Sequence, residues 1–254
     1  MSLYCEELHM NDHSSTLSHG RLRARRGAWA IACVALFLVQ LVASAAGAPD
    51  TPAPVVVINS GIGGHNSKQV LGRIERDALD LKPDVIVLMV GTNDVANSHA
   101  LVPLDAYAAN VEAMVKAVRD AGSAKLVLVN LPPVIEPMLL ERHPNHPHAG
   151  HVNEEIQKYN AKLAEIATAN GLTLVDFYAA VNAAAPDLTG PDSPLRNPNN
   201  GGGRDGVHML PRGYRMLGKA VADALADDAK PGMRVVCVGD SLTFGYPAEG
   251  QGTA

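Results

Sequence analysis

Short, almost wholly apolar runs alternating with helical patterns constrain this chain more than any other feature. The runs are residues 55–58, 85–90, 126–129, 172–175 and 233–238. Each is too short for a buried helix and too uniformly apolar for a strand with one wet face, so each reads as a strand buried on both sides. Between them, residues 67–81 carry Val70, Leu71 and Ile74, and residues 104–121 carry Tyr107, Val111, Met114, Val115 and Val118 at helical spacing. Residues 153–170, closed by Gly171, and 211–226, opened by Pro211, continue the alternation. Strand and helix in turn predict a parallel sheet covered on both faces, a three-layer α/β/α sandwich. In such sheets the functional loops gather at the carboxyl ends of the strands.

Four blocks lie where that rule puts function. The last apolar run leads straight into Gly239-Asp240-Ser241-Leu242, a turn able to lift a serine hydroxyl out of the strand into solvent. Asn59-Ser60-Gly61-Ile62-Gly63-Gly64 follows the first run, and Gly91-Thr92-Asn93-Asp94 follows the second. Asp205-Gly206-Val207-His208 precedes the last long helical pattern. A serine hydroxyl is a weak nucleophile until a base takes its proton, and a histidine suits that role, so His208 is the candidate base for Ser241. Asp205, three residues before it, is placed to accept the other ring N–H and fix the tautomer. Asp240 and Asp94 read as turn-holding carboxylates rather than reacting groups. The glycine block could cradle a phosphate, but no Lys-Ser/Thr follows it, which counts against a nucleotide site.

Together the four blocks resemble the SGNH hydrolases, or GDSL esterase/lipase family, whose motifs carry Ser, Gly, Asn and Asp-x-x-His. Residues 131–134 (Leu-Pro-Pro-Val) and Arg212-Gly213-Tyr214 are also similar to that family. The order here is rotated: glycine, asparagine, histidine and then serine, which reads as a circular permutation joined at the polar, Pro-Gly-containing residues 226–232. The resemblance implies a circularly permuted, flavodoxin-like SGNH fold over residues 49–254. It implies an oxyanion hole of the Ser241 and Gly64 backbone N–H groups and the Asn93 side chain, with Ser241, His208 and Asp205 as the catalytic set. It also implies a serine esterase acting on short acyl esters, including acetyl groups on carbohydrates. A lipid-ester hydrolase and a non-catalytic binding module of the same fold are the competing readings. One family element has no counterpart: neither residues 243–254 nor 51–54 carry the amphipathic helix expected between the serine and glycine blocks.

Composition narrows the partners. A net charge of −5 over 254 residues gives no reason to expect nucleic acid, and no pattern calls for a cofactor. The basic stretch 21–26 followed by the uncharged apolar run 27–48, ending in small residues, reads as an export signal, with an uncleaved membrane anchor or a downstream true start as alternatives. Residues 1–48 are therefore set apart from the domain, and membrane contact is expected only if 27–48 is retained. Removal of that segment leaves Cys237 as the single cysteine, so no internal disulfide is expected, and Cys237 reads as a buried thiol in the last strand. His143, His146, His148 and His151 read as a solvated loop in preference to a metal site. The sequence does not specify an oligomeric state.

Overall fold

The computed structural model describes residues 52–122 and 124–246. Five strands form one sheet, β1 (Val56–Gly61), β2 (Val85–Met89), β3 (Lys125–Val129), β4 (Thr173–Val175) and β5 (Arg234–Gly239), in the order β1-β5-β2-β3-β4. Every pairing is parallel, as the uniformly apolar runs predict. The strand latest in sequence is thus inserted between the first two, with Val236 level with both Ile58 and Ile86.

The helices are α1 (Ser67–Leu71), α2 (Ile74–Asp77), α3 (Thr92–Ala96), α4 (Leu104–Ala121), α5 (Glu136–Arg142), α6 (Val152–Asn170), α7 (Phe177–Ala184), α8 (Pro211–Ala224) and α9 (Ser241–Phe244). One core joins Ile86, Leu88, Leu128 and Val236 to the apolar stripes of α4 and α6. The other joins Val87, Val127 and Val235 to α7 and α8. The three layers are those expected from the alternation, because residues along a strand point by turns to opposite faces and each face has its own helical cover.

Three expectations need correction. The pattern over 67–81 is not one helix. Gly72 closes α1 by donating its N–H to Lys68 O at 3.1 Å, and the chain restarts as α2 followed by a 3-10 turn over Leu79–Leu81. The break lets the side chain of Arg73 turn inward, where it is only 5% exposed. The run 55–58 is not buried on both sides, because β1 is an edge strand and Val57 is 65% exposed. The histidine-rich loop is not uniformly solvated, since His146 is buried. The short helices α3, α5, α7 and α9 had no period long enough to announce them.

Arg73 holds the carboxyl ends of two strands together. Its guanidinium donates to Ser60 O on β1 at 2.8 Å, to Gly239 O on β5 at 2.7 Å and to Asp77 Oδ2 at 2.9 Å. A buried arginine is tolerable only when its donors are met, and two of these partners are backbone carbonyls at the carboxyl end of the sheet. The same end of β5 has no room for a side chain. A Cβ on Gly239 would lie 2.1 Å from Met89 O, so β5 and β2 could not keep their spacing. Gly239→Ala is expected to cost about 1–3 kcal/mol by overpacking, read as a lower melting temperature. A variant that melts with the wild type would show that the strand ends separate freely.

Candidate active site

The turn after β5 places Ser241 at the first position of α9. Asp240, 1% exposed, accepts the Leu242 N–H at 2.9 Å and caps the helix. From β1, Asn59 donates its amide to Thr243 O at 3.0 Å and Phe244 O at 3.2 Å, while its Oδ1 accepts the Gly61 N–H at 2.9 Å. One side chain of the glycine block thereby ties that block to the end of the serine helix.

The serine meets the histidine block across the top of the sheet. His208 Nε2 lies 3.0 Å from Ser241 Oγ, and His208 Nδ1 lies 2.9 Å from Asp205 Oδ2. Asp205 Oδ1 also accepts the backbone N–H groups of His208 at 2.7 Å and Val207 at 2.9 Å. Burial alone would push the Asp205 carboxyl up, but the hydrogen bond and charge of His208, with those two N–H groups, outweigh it and hold the carboxyl well below the usual range. Asp205 is therefore ionised at neutral pH and fixes the proton on Nδ1, which leaves Nε2 able to accept from the serine hydroxyl.

Beside the serine, Gly64 sits at φ +79°, the left-handed region that glycine enters without strain. Among the described residues the backbone N–H groups of Gly64 and Ser241 have no protein acceptor. Asn93, at the start of α3, donates its amide to His65 O at 3.0 Å and accepts from Asn97 Nδ2 at 3.0 Å. Asn97 thus decides which way the Asn93 amide faces, and one of its N–H bonds is left over. All three groups reach a cleft of about 280 Å³ that Ser241 and His208 also line. The sequence-selected residues Ser241, His208, Asp205, Gly64 and Asn93 come together at one site, with unpaired donors and a hydrogen-bonded serine suited to acyl transfer.

Further residues line the site. Arg142 and His143 at the end of α5 line the cleft, as do Asn97 and Tyr246. The Tyr246 ring meets His208 edge-on at a centroid separation of 5.0 Å. Asp94 belongs to a buried network: it accepts the Ser67 N–H at 2.9 Å and the Ser67 hydroxyl, which in turn accepts from Asn110 at 2.9 Å. This joins the asparagine block to the start of α1, in keeping with a turn-holding role. Burial pushes the Asp94 carboxyl up to about 6 against its bonds to Ser67. Cys237, expected as a buried thiol, is half-buried, and that partial burial pushes its thiol up. Among the described residues no group of three His, Cys, Asp or Glu side chains is placed to hold a metal ion.

The GDSL-like lipase/acylhydrolase family matches residues 27–216, three quarters of the sequence. The chain belongs to that family. The matched span includes Gly64, Asn93, Asp205 and His208, takes in the apolar run 27–48, and stops short of Ser241. An acetylxylan esterase of Geobacillus stearothermophilus is 27% identical over 139 residues, 52% of this chain and 58% of that protein. This chain thus spans little more than half of that curated relative. Among solved structures, a lipase/acylhydrolase from Enterococcus faecalis superposes with a TM-score of 0.55 at 24% identity, over 79% of this chain and 88% of that one. A catalytic mutant of an acetylxylan esterase from Geobacillus stearothermophilus superposes with a TM-score of 0.52 at 22% identity, over 65% and 69%. These two likenesses establish the shared fold of the family.

The apolar run 27–48, read as an export signal or anchor, lies outside the described residues, as do residues 247–254 beyond the serine turn. Among the described residues no helix is long and apolar enough to cross a membrane.

Asp240 offers a test of the site's electrostatics. Burial pushes its carboxyl up to about 7, opposed by the Leu242 N–H and the charge of His208 and reinforced by Asp94. Unfolded aspartate loses its proton near pH 4. The stability this group contributes is therefore fully present below about pH 4 and lost as the pH rises to about 7. Asn is also a good helix cap. Asp240→Asn is expected to melt above the wild type at pH 8 and level with it near pH 4. An offset independent of pH would reject burial as the cause.

Proposed function

We propose that this protein is a serine esterase that hydrolyses short acyl esters through an acyl-enzyme on Ser241. The observation that carries the reading is the chain of contacts Asp205–His208–Ser241, at 2.9 and 3.0 Å, between blocks 33 residues apart. In the proposed reaction Ser241 Oγ attacks the ester carbonyl while His208 Nε2 takes its proton. The negative oxygen of the tetrahedral intermediate accepts from the Ser241 and Gly64 N–H groups and the spare Asn93 amide hydrogen. Collapse breaks the bond to the alcohol, which leaves with the proton from His208. Water then attacks the acyl-serine, gives its proton to His208, and releases the acid as the proton returns to Ser241.

The acyl group we assign is small, acetyl in the first instance, and the alcohol is a carbohydrate. The modest cleft supports the first assignment and the acetylxylan esterase relative supports the second. We also read the chain as circularly permuted within its family. The block order, the insertion of β5 between β1 and β2, and a family match that ends before Ser241 support this.

Hydrolysis of 4-nitrophenyl acetate is the direct measurement. Ser241→Ala is expected to reduce kcat at least about a thousandfold, and Asn93→Ala about a hundred- to thousandfold, with melting temperatures held near the wild type. Equal rates for the wild type and Ser241→Ala would overturn the reading.

For the N-terminal run, export is the proposed role, and N-terminal sequencing of secreted protein should then find a start close to residue 49. The family match that takes in residues 27–48 favours the alternative, retention of the run with the domain. An unprocessed N-terminus would establish that alternative.

A further inference from the structure

The cleft beside Ser241 carries a cation and no carboxylate, although the chain as a whole has a net charge of −5. Arg142 is the lining residue that is charged at every working pH, and it is 40% exposed at the cleft wall. Its Nη2 donates to the backbone oxygen of Asp205 at 2.8 Å and lies 3.7 Å from Asp205 Oδ1. Those contacts hold the guanidinium at the end of α5 but use one of its two terminal nitrogens. No other partner of its side chain is found among the described residues, so Nη1 and Nε keep donors for something in the cleft. Glu141, the other neighbouring acid, is engaged by Arg204, with Nε to Oε2 at 2.8 Å, so the carboxylate paired with Arg142 is Asp205, which is itself shared with His208.

The adjoining groups are polar and uncharged. His143 also lines the cleft and shares a hydrogen bond with the Ser98 hydroxyl at 2.9 Å. Burial, with the charge of Arg142 behind it and then His99 and His146, lowers the pKa of its imidazole. Asn97 completes this wall with its amide held against Asn93. A guanidinium with a free donor, flanked by a neutral imidazole and an amide, matches a carboxylate better than a hydroxyl, because charge-assisted hydrogen bonds are the stronger ones.

We infer that Arg142 recognises a carboxylate on the alcohol half of the ester, so that the preferred substrates are acyl esters of hydroxy acids, acidic sugars among them. This rests on the esterase reading and deepens it. Binding uses the free Arg142 Nη1, while Nη2 stays on Asp205 O and keeps the base in place.

The test uses a matched pair that differs in charge, 4-acetoxybenzoate and 4-acetoxybenzamide, on the full chain at low salt. After correction for their uncatalysed rates, kcat/KM is expected to favour the carboxylate by about tenfold, carried by KM, as for a hydrogen bond to a charged group. The preference should shrink as salt screens the exposed guanidinium. Arg142→Gln should abolish the preference and Arg142→Lys should retain part of it, whatever either does to both rates in common through Asp205. A preference absent in the wild type, or kept in Arg142→Gln, overturns the proposal while leaving the esterase reading intact. If the wild type hydrolyses neither ester, the esterase reading fails, and calorimetry with the products decides the subsite. Binding of 4-hydroxybenzoate but not 4-hydroxybenzamide, lost in Arg142→Gln, supports it. Equal or no binding of the two overturns it.

Discussion

The parallel pairing of β5 between β1 and β2 is the constraint from which the candidate site follows. Hydrogen bonding on both edges carries β5 into the interior of the sheet, next to the edge strand, and Val236 and Val238 are fully buried there. Without that pairing Ser241 would have no fixed relation to Gly64 or Asn93, which belong to loops after β1 and β2. The pairing is closed at its carboxyl end by one buried side chain, since Arg73 takes carbonyls from β1 and β5 together. At the opposite end Asp84 accepts the Arg234 N–H at 2.9 Å, which sets the register as β5 begins. The strand is thus held at both ends by groups that arrive from the 67–84 segment.

Above the sheet the charges fall into two layers. Asp94 and Asp240 lie beneath the loops, where loss of water disfavours ionisation and their carboxyls serve as hydrogen-bond anchors for Ser67 and Leu242. Asp205 lies higher, where the imidazole and two backbone N–H groups overcome the same desolvation. Three aspartates from three separate segments of the chain are thereby divided between holding the backbone and holding an imidazole. The distinction comes from the partners each one has, because the intrinsic chemistry of the three side chains is identical.

Three of the four blocks were legible because each combines a strand end with a residue type that its position requires. Gly239 is needed where β5 passes Met89 O, and Gly64 is needed at positive φ. The pairing of Asp205 with His208 was legible because three residues on one turn suffice to bring the side chains together. Arg73 was not legible, because a single arginine in an amphipathic pattern ordinarily faces water. Its burial follows only from the break after Gly72 and the strand-end carbonyls that the break brings within its reach. That Arg142, His143 and Asn97 turn toward the cleft was likewise not legible, since α5 and α3 are too short for periodicity to show which side faces it.

The sequence by itself determined the kinds of element and the chemistry at their ends: apolar runs that must be buried, amphipathic helices to bury them, and turns that present Ser, Gly, Asn and His. Those properties depend on neighbours a few residues away and survive in one dimension. The tertiary structure alone decided that β1 is an edge with Val57 in solvent, that the last strand joins the first two, and that the cleft has a cationic wall. Each of these is a contact between segments far apart in the chain. Strand neighbours and cleft walls are selected by burying all the apolar surface and pairing all the backbone groups at once, a condition that no local stretch contains.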